Sequence, residues 1–568
     1  MRNIFHFLLI FAVLCLSVNS LLAVSCSVVQ GHPASEADKA LLAADYARAV
    51  TLYQADLTRH PGDAELTAGL VRALLHQQKV QEAADAVKAS LAIAPNSAAL
   101  ISLRGEVEYR QGTPWLAART ANESEKLDPC YARNHMLLAD LLRLNSLYAS
   151  SREQVEVAHQ LDPWDAEIRE EWIHTLPLKQ RIAEAEAYLS APTGNDEEDL
   201  RHWRLYLEDL KKRESEPHKA CHLVSPTAAT EIPFANIMGD GMHIRAFGLD
   251  VKLNGHSARL EVDTGATGLL VSRSVARHAD LKPFSQTEVG GIGDQGEKAG
   301  YTAYADSIRI GNLEFKDCTV DVLDSRNVLD SDGLIGMDVL SHFLVTLDYP
   351  MRKLLLGPLP PRPGETAAAP DLKTGDADGD DSEESEETSR GAKSGAAAAV
   401  AASGASAATH DNVQKPVTHG PYDRYIAPEM KDYTPVYRVG HDLILPAALN
   451  GGKLKLFILD TGAWATTISP QAAREVTKVR SEDDFHVEGL NGKVEKVYSA
   501  NEVTFRFAHL SQKVLGVASF DTSRISKYTD MEISGFLGAT TLELLTIHID
   551  YRDGLVKFDY DPNRGYRF

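Results

Sequence analysis

Apolar and polar residues alternate before Asp263: Ala258, Leu260 and Val262 are separated by Arg259 and Glu261. A period of two predicts a strand with one buried face, running into an Asp-Thr-Gly turn. The apolar run Leu456-Phe457-Ile458-Leu459 predicts a second strand ending at Asp460. A short run follows each, Leu269-Leu270-Val271-Ser272 and Thr466-Thr467-Ile468-Ser469, and then a helical piece. In the later copy Pro470 suits a first helical position, where no backbone N–H is needed. Glycine-rich hairpins come next, Gly290-Gly291-Ile292-Gly293 and Gly489-Leu490-Asn491-Gly492. The first third of the chain has another rhythm. Pro61, Pro95, Pro129 and Pro163 recur every 34 residues, and Ala49, Ala83, Ala117 and Ser151 keep the same period. Proline cannot continue a helix, and the small residue lets two helices approach. This predicts paired helices over about 35–175, with a helical cap to about 215.

The two halves of the remainder repeat each other. Asp263-Thr264-Gly265-Ala266 and Asp460-Thr461-Gly462-Ala463 lie 197 residues apart (460 − 263). Leu334-Ile335-Gly336 follows the first and Phe536-Leu537-Gly538 the second. From each final glycine, 12 residues lead to an Asp-Tyr pair, Asp348-Tyr349 and Asp550-Tyr551. Asn254-Gly255 and Asn450-Gly451 precede the two aspartates at nearly equal distances. One Asp-Thr-Gly alone reads as a tight turn whose glycine takes positive φ. Two copies in matched settings imply an internal duplication. They also bring a specific chemistry within reach. Two carboxylates at roughly 3 Å cannot both ionise, so they share a proton and together activate water.

Each half resembles a retropepsin-type aspartic protease domain, on the Asp-Thr-Gly-Ala turn and the later apolar-apolar-Gly. The resemblance covers about 235–357 and 430–568. It implies a small closed β-barrel-like lobe, with Asp263 and Asp460 catalytic. Thr264, Gly265, Ala266, Thr461, Gly462 and Ala463 would form the active-site loops. Leu334, Ile335, Gly336, Phe536, Leu537 and Gly538 would brace them. Gly291, Ile292, Gly293, Leu490, Asn491 and Gly492 would be flap tips over substrate, the alternative being ordinary hairpin turns. The 34-residue period resembles the tetratricopeptide repeat, though the family's aromatic positions are mostly filled by other residues. That resemblance implies a concave surface for a protein partner. The expected fold is therefore multidomain: an all-α tetratricopeptide-like array over 35–215, then two all-β retropepsin-like lobes paired as a pseudo-dimer. The expected function is an aspartic endopeptidase acting on peptide or protein substrates. The alternative is a non-catalytic peptide-binding or assembly module.

Composition refines this picture. Residues 358–416 are low in complexity, with an acidic run and an alanine-rich run, and read as a disordered linker. About 55 flexible residues reach roughly 40 Å, enough to let the lobes pair within one monomeric chain. Pairing between two chains stays open on this reading. Residues 1–26 resemble an export signal, with Arg2 ahead of a short apolar run. The expected location is periplasmic or extracellular. Ala23-Val24-Ser25-Cys26 also resembles a lipoprotein signal, so Cys26 is a candidate lipid anchor and the one expected membrane contact. Cys130, Cys221 and Cys318 stand singly, which argues against a disulfide framework and against structural zinc. No metal and no cofactor are expected. The net charge of −22, part of it from the linker, argues against a nucleic-acid partner, which needs basic surface.

Overall fold

The computed structural model describes residues 26–29, 31, 34–219, 221–225, 229–239, 244–325, 328, 331–363, 422–481 and 487–562. Almost all of the expected signal, and the expected linker beyond residue 363, lie outside these. Among the described residues no helix is long and apolar enough to cross a membrane.

Eleven described helices, from Glu36–Leu42 to Glu197–Ser215, form the N-terminal array. The 34-residue period sets their pairing. Helix Tyr46–Arg59 stops just before Pro61, and Asp63 caps the next helix, Ala64–His76, by accepting from the Leu66 N–H at 3.0 Å. Ser97 and Asp165 cap Ala98–Arg110 and Ala166–His174 in the same way. Ala49, Ala83 and Ala117 are fully buried between helices, as close packing at those positions requires.

The region after the array is β-rich and repeats one topology. In the first half, strand Ile244–Leu253 turns at Asn254-Gly255 and pairs antiparallel with His256–Asp263. Strand Gly333–Gly336 then inserts parallel to it, Ile335 beside Val262. In the second half, Asp442–Leu449 pairs with Leu454–Leu459, and Ile533–Leu537 inserts parallel, Leu537 beside Leu459. The halves share a six-stranded sheet, with Phe343–Asp348 antiparallel to Thr546–Asp550 at its centre. One apolar core runs through both halves, from Leu249 and Val345 to Leu445 and Ile547. Pairing begins earlier than the expected boundaries. Strand Thr230–Pro233 edges the shared sheet, and Tyr425 donates its N–H to Asp553 at 2.8 Å.

The array docks on both halves. The Glu532 N–H donates to the Arg110 carbonyl at 2.9 Å, and the Tyr148 N–H to the Tyr422 carbonyl at 3.1 Å. On the other side, helix Glu197–Ser215 holds the first hairpin through Arg201–Glu288 at 2.7 Å and Ser285–Asp209 at 2.6 Å.

The cysteine expectation is corrected. Cys26 is disulfide-bonded to Cys130, and Cys221 to Cys318, at sequence separations of 104 and 97. The partners meet only through tertiary structure, so their spacing carried no signal. With its sulfur bonded to Cys130, Cys26 cannot carry a thioether-linked lipid in this structure.

Candidate active site

Both aspartates close their strands at the same place. Asp263 ends strand His256–Asp263 and is partly exposed to the cleft; Asp460 follows Leu454–Leu459 and is 7% exposed. The two loops are cross-laced by threonine. The Thr264 N–H donates to Thr461 Oγ1 and the Thr461 N–H to Thr264 Oγ1, both at 3.0 Å. Each hydroxyl in turn donates across the boundary, Thr264 to the Leu459 carbonyl at 2.6 Å and Thr461 to the Val262 carbonyl at 3.0 Å. These four bonds are buried, where an unpaired group would cost about 1–3 kcal/mol, so they fix the loops in register.

The glycines let the carboxyls meet. A Cβ on Gly265 would lie 2.8 Å from Asp460 Cγ, and one on Gly462 would lie closer still to Asp263. Each aspartate also accepts from its own loop: the Gly265 N–H to Asp263 Oδ1, and the Ala463 N–H to Asp460 Oδ1, both at 2.8 Å. Ala266 closes the first turn, its N–H donating weakly to the Asp263 carbonyl. The apolar-apolar-Gly strands brace the loops from behind. The Gly336 N–H donates to the Gly268 carbonyl at 2.8 Å, and the Gly538 N–H to Thr466 Oγ1 at 3.1 Å. Any side chain at Gly336 would strike the Ala266 carbonyl, and any at Gly538 the Ala465 carbonyl.

The glycine-rich hairpins meet each other over this floor. The Asn491 N–H donates to the Ile292 carbonyl and the Gln295 N–H to the Asn491 carbonyl, both at 2.9 Å. Gly291 lies against Leu490, Gly293 against the Asn491 backbone, and Gly492 against Gln295. Two apolar walls flank the aspartates beneath the tips. One is built from Ala266, Leu270, Leu334 and Val289 with Leu490 of the opposite hairpin. The other is built from Ala463, Ile458, Phe536 and Val487 with Ile292. Ile335 and Leu537 belong to the main core behind the loops.

Electrostatics separate the two carboxyls. Burial pushes Asp263 well above the usual carboxylate range, and the charges of Asp460 and Glu261 push it further. Burial also raises Asp460, but the N–H groups of Ala463 and Gly462, the Asp263 hydroxyl and the nearby His441 all favour its anion. Asp263 is thus raised further than Asp460, and of the two carboxyls it is the one that favours a shared proton. Sequence reasoning missed two of these contributors. Glu261 is only 1% exposed and is paired with Arg245 at 2.6 Å, against the expectation of a polar strand face. His441 donates from Nε2 to the Gly265 carbonyl of the other half at 3.1 Å. Arg245 and His441 both lie eight residues before the Leu of their Leu-Asn-Gly turns (253 − 245 and 449 − 441), so aligning the halves would have flagged them.

Among the described residues, one group has metal-ligand spacing: His202, Glu288 and Glu297, away from the aspartates and crossed by Arg201.

The shared proton has a consequence for stability. Both folded pKa values stand above the unfolded value of about 3.9, so the folded state binds protons more tightly. That contribution is fully present below pH ~3.9 and is lost as pH rises through the folded values. Asp460→Asn removes the like charge. Its melting temperature should match wild type near pH 3 and exceed it at pH 7. The gain should be on the order of 1.4 kcal/mol for each unit of raised pKa relieved. A pH-independent difference in melting scans would contradict the shared proton.

This arrangement fits an aspartyl protease-like domain. The aspartyl protease family model matches residues 249–339, and a tetratricopeptide repeat model matches residues 40–107. DNA damage-inducible protein 1 of Neurospora crassa is 28% identical over 110 residues, 19% of this chain and 24% of that protein. This chain thus spans about a quarter of that relative's length. Among solved structures, a thermophilic tetratricopeptide protein of Thermus thermophilus is 22% identical, with a TM-score of 0.24 over 29% of this chain and 90% of that one.

Proposed function

We propose that this chain is an exported aspartic endopeptidase whose two halves form one pseudo-symmetric active site. The observation that carries the reading is the pair of aspartates on buried, cross-laced loops under touching hairpin tips. Asp460, ionised, takes a proton from a water lying between the carboxyls. The resulting hydroxide attacks the scissile carbonyl, and Asp263 gives that carbonyl oxygen its proton. The tetrahedral diol then collapses: the amide nitrogen takes a proton from Asp460, the C–N bond breaks, and a diol hydroxyl returns its proton to Asp263. Water is the nucleophile throughout, and no acyl-enzyme forms. The apolar walls under the tips suit large apolar side chains on either side of the scissile bond. Export is supported by the two disulfides, which persist in oxidising compartments. The array supplies a protein-docking surface.

The test is cleavage of a mixed peptide library by the mature chain across pH 3 to 8. Cleavage should occur in wild type, be blocked by a pepstatin-type inhibitor and disappear in Asp263→Asn. A folded wild-type chain that binds peptides without cutting them would make the halves a binding module instead.

A further inference from the structure

The inner face of the helical array is turned onto the candidate active site. Arg72, Glu106, Asp140 and His174 are successive steps of the 34-residue period on the first helices of four units: Ala64–His76, Ala98–Arg110, Ala132–Leu144 and Ala166–His174. All four side chains line the same cavity as Asp263 and Asp460, a continuous space of about 3510 Å³. A concave face that could receive a globular partner is thus roofed by the two β-rich halves. An extended chain could run through this space from the aspartates onto the array.

The charges on this face select among chains. Arg133 is held by Asp165 at 2.6 Å and by Glu167. Arg143 is held by Asp140 at 2.8 Å and by Glu171. Arg110 is engaged by Asp530. Arg72 lies 3.8 Å from Asp165, and His76 3.8 Å from Glu167. Glu106 makes no hydrogen bond or ion pair among the described residues. Around Glu106 and Asp140, six carboxyls (Glu106, Asp140, Asp165, Glu167, Glu171, Asp530) face four guanidiniums (Arg72, Arg110, Arg133, Arg143). With the imidazoles of His76 and His174 left out of the count, the deficit is of positive charge. In agreement, burial pushes Glu106 up, and burial with the neighbouring acids pushes Asp140 up to about 7.

We propose that this face is a distal subsite of the protease. It takes a segment of extended substrate polypeptide carrying lysine or arginine, whose cation sits at Glu106 and Asp140 while the same chain passes between the aspartates and the hairpin tips. The inference rests on the endopeptidase reading for its cleavage but predicts binding independently. An extended chain advances about 3.3 Å per residue, so a tail of eight residues spans roughly 26 Å. Only substrates longer than the cleft would engage it.

The experiment measures fluorescence anisotropy on the full Asp460→Asn chain, which holds peptide without turnover. The probes are fluorescein-labelled peptides with a Leu-Phe core flanked on both sides by Ala-Lys, Ala-Gln or Ala-Glu repeats. The lysine peptide should bind about tenfold tighter than the glutamine one, and the glutamate peptide weakest. Adding Glu106→Gln, which breaks no ion pair, should shrink the lysine preference severalfold with the melting temperature unchanged. Equal affinities, or a preference untouched by Glu106→Gln, overturn the proposal. Wild-type turnover of the same peptides separates the two readings. Tight lysine-peptide binding without cleavage sinks the endopeptidase and keeps the subsite; cleavage with no tail preference does the reverse.

Discussion

Co-refolding an Asp263→Asn chain with an Asp460→Asn chain should restore no peptide cleavage, and each variant alone should fall by at least about 10³-fold. The reason lies in how the halves are joined. Strand Phe343–Asp348 pairs with Thr546–Asp550 of the same chain, and the apolar core is continuous across that sheet. The crossed threonine bonds then seat Asp263 against Asp460, so every single-chain site in the mixture would hold one aspartate and one asparagine. Refolding the chains together from denaturant removes any kinetic bar to exchange. Other pairings leave different signatures in the same assay. Activity in one single variant would mean that like halves pair between chains. Activity only on mixing would mean that Asp263 of one chain meets Asp460 of another. Either result would remove the single-chain site, and a fully inactive mixture beside an active wild type would establish it.

The floor of this site was legible because the duplication lets each half check the other. The matched distances from Gly336 to Asp348 and from Gly538 to Asp550 anticipate equivalent segments in the two halves, whereas the sheet that their last strands share shows only in the structure. The proline period likewise anticipates the helix ends of the array. What stayed hidden depends on contacts between distant segments. Glu261 reads as a solvent-facing residue in an alternating strand, and only the fold shows Arg245 covering it. His441 gains its position by crossing to the other half's loop. The hairpin glycines are explicable as turns until Ile292 and Asn491 are seen to bond each other. The orientation of the array is hidden for the same reason. A 34-residue period predicts a concave face, whereas Arg110–Glu532 and Tyr148–Tyr422 decide that it looks onto the aspartates.

Gly462→Ala should cost about 10²-fold or more in kcat, with a smaller loss for Gly265→Ala. Neither glycine has the positive φ that would make alanine strained in itself. The effect comes from what the new methyl meets. At Gly265 it would stand 2.8 Å from Asp460 Cγ; at Gly462 it would press harder on Asp263. The threonine bonds hold both loops, so the backbone cannot retreat and the carboxyl must swing out of line with its partner. A displacement near 1 Å would be enough for a loss of about 10²-fold, because in the proposed mechanism the water must touch both carboxyls at once. Overpacking at such a site also destabilises by roughly 1–3 kcal/mol, so kcat is compared at a temperature where melting scans show each variant folded. Gly357→Ala is the control, since no atom lies within 4 Å of its added Cβ, and it should keep wild-type kcat. The order wild type, Gly265→Ala, Gly462→Ala follows from the two distances alone. A folded Gly462→Ala chain with near wild-type kcat would mean that Asp263 does not stand where water activation needs it.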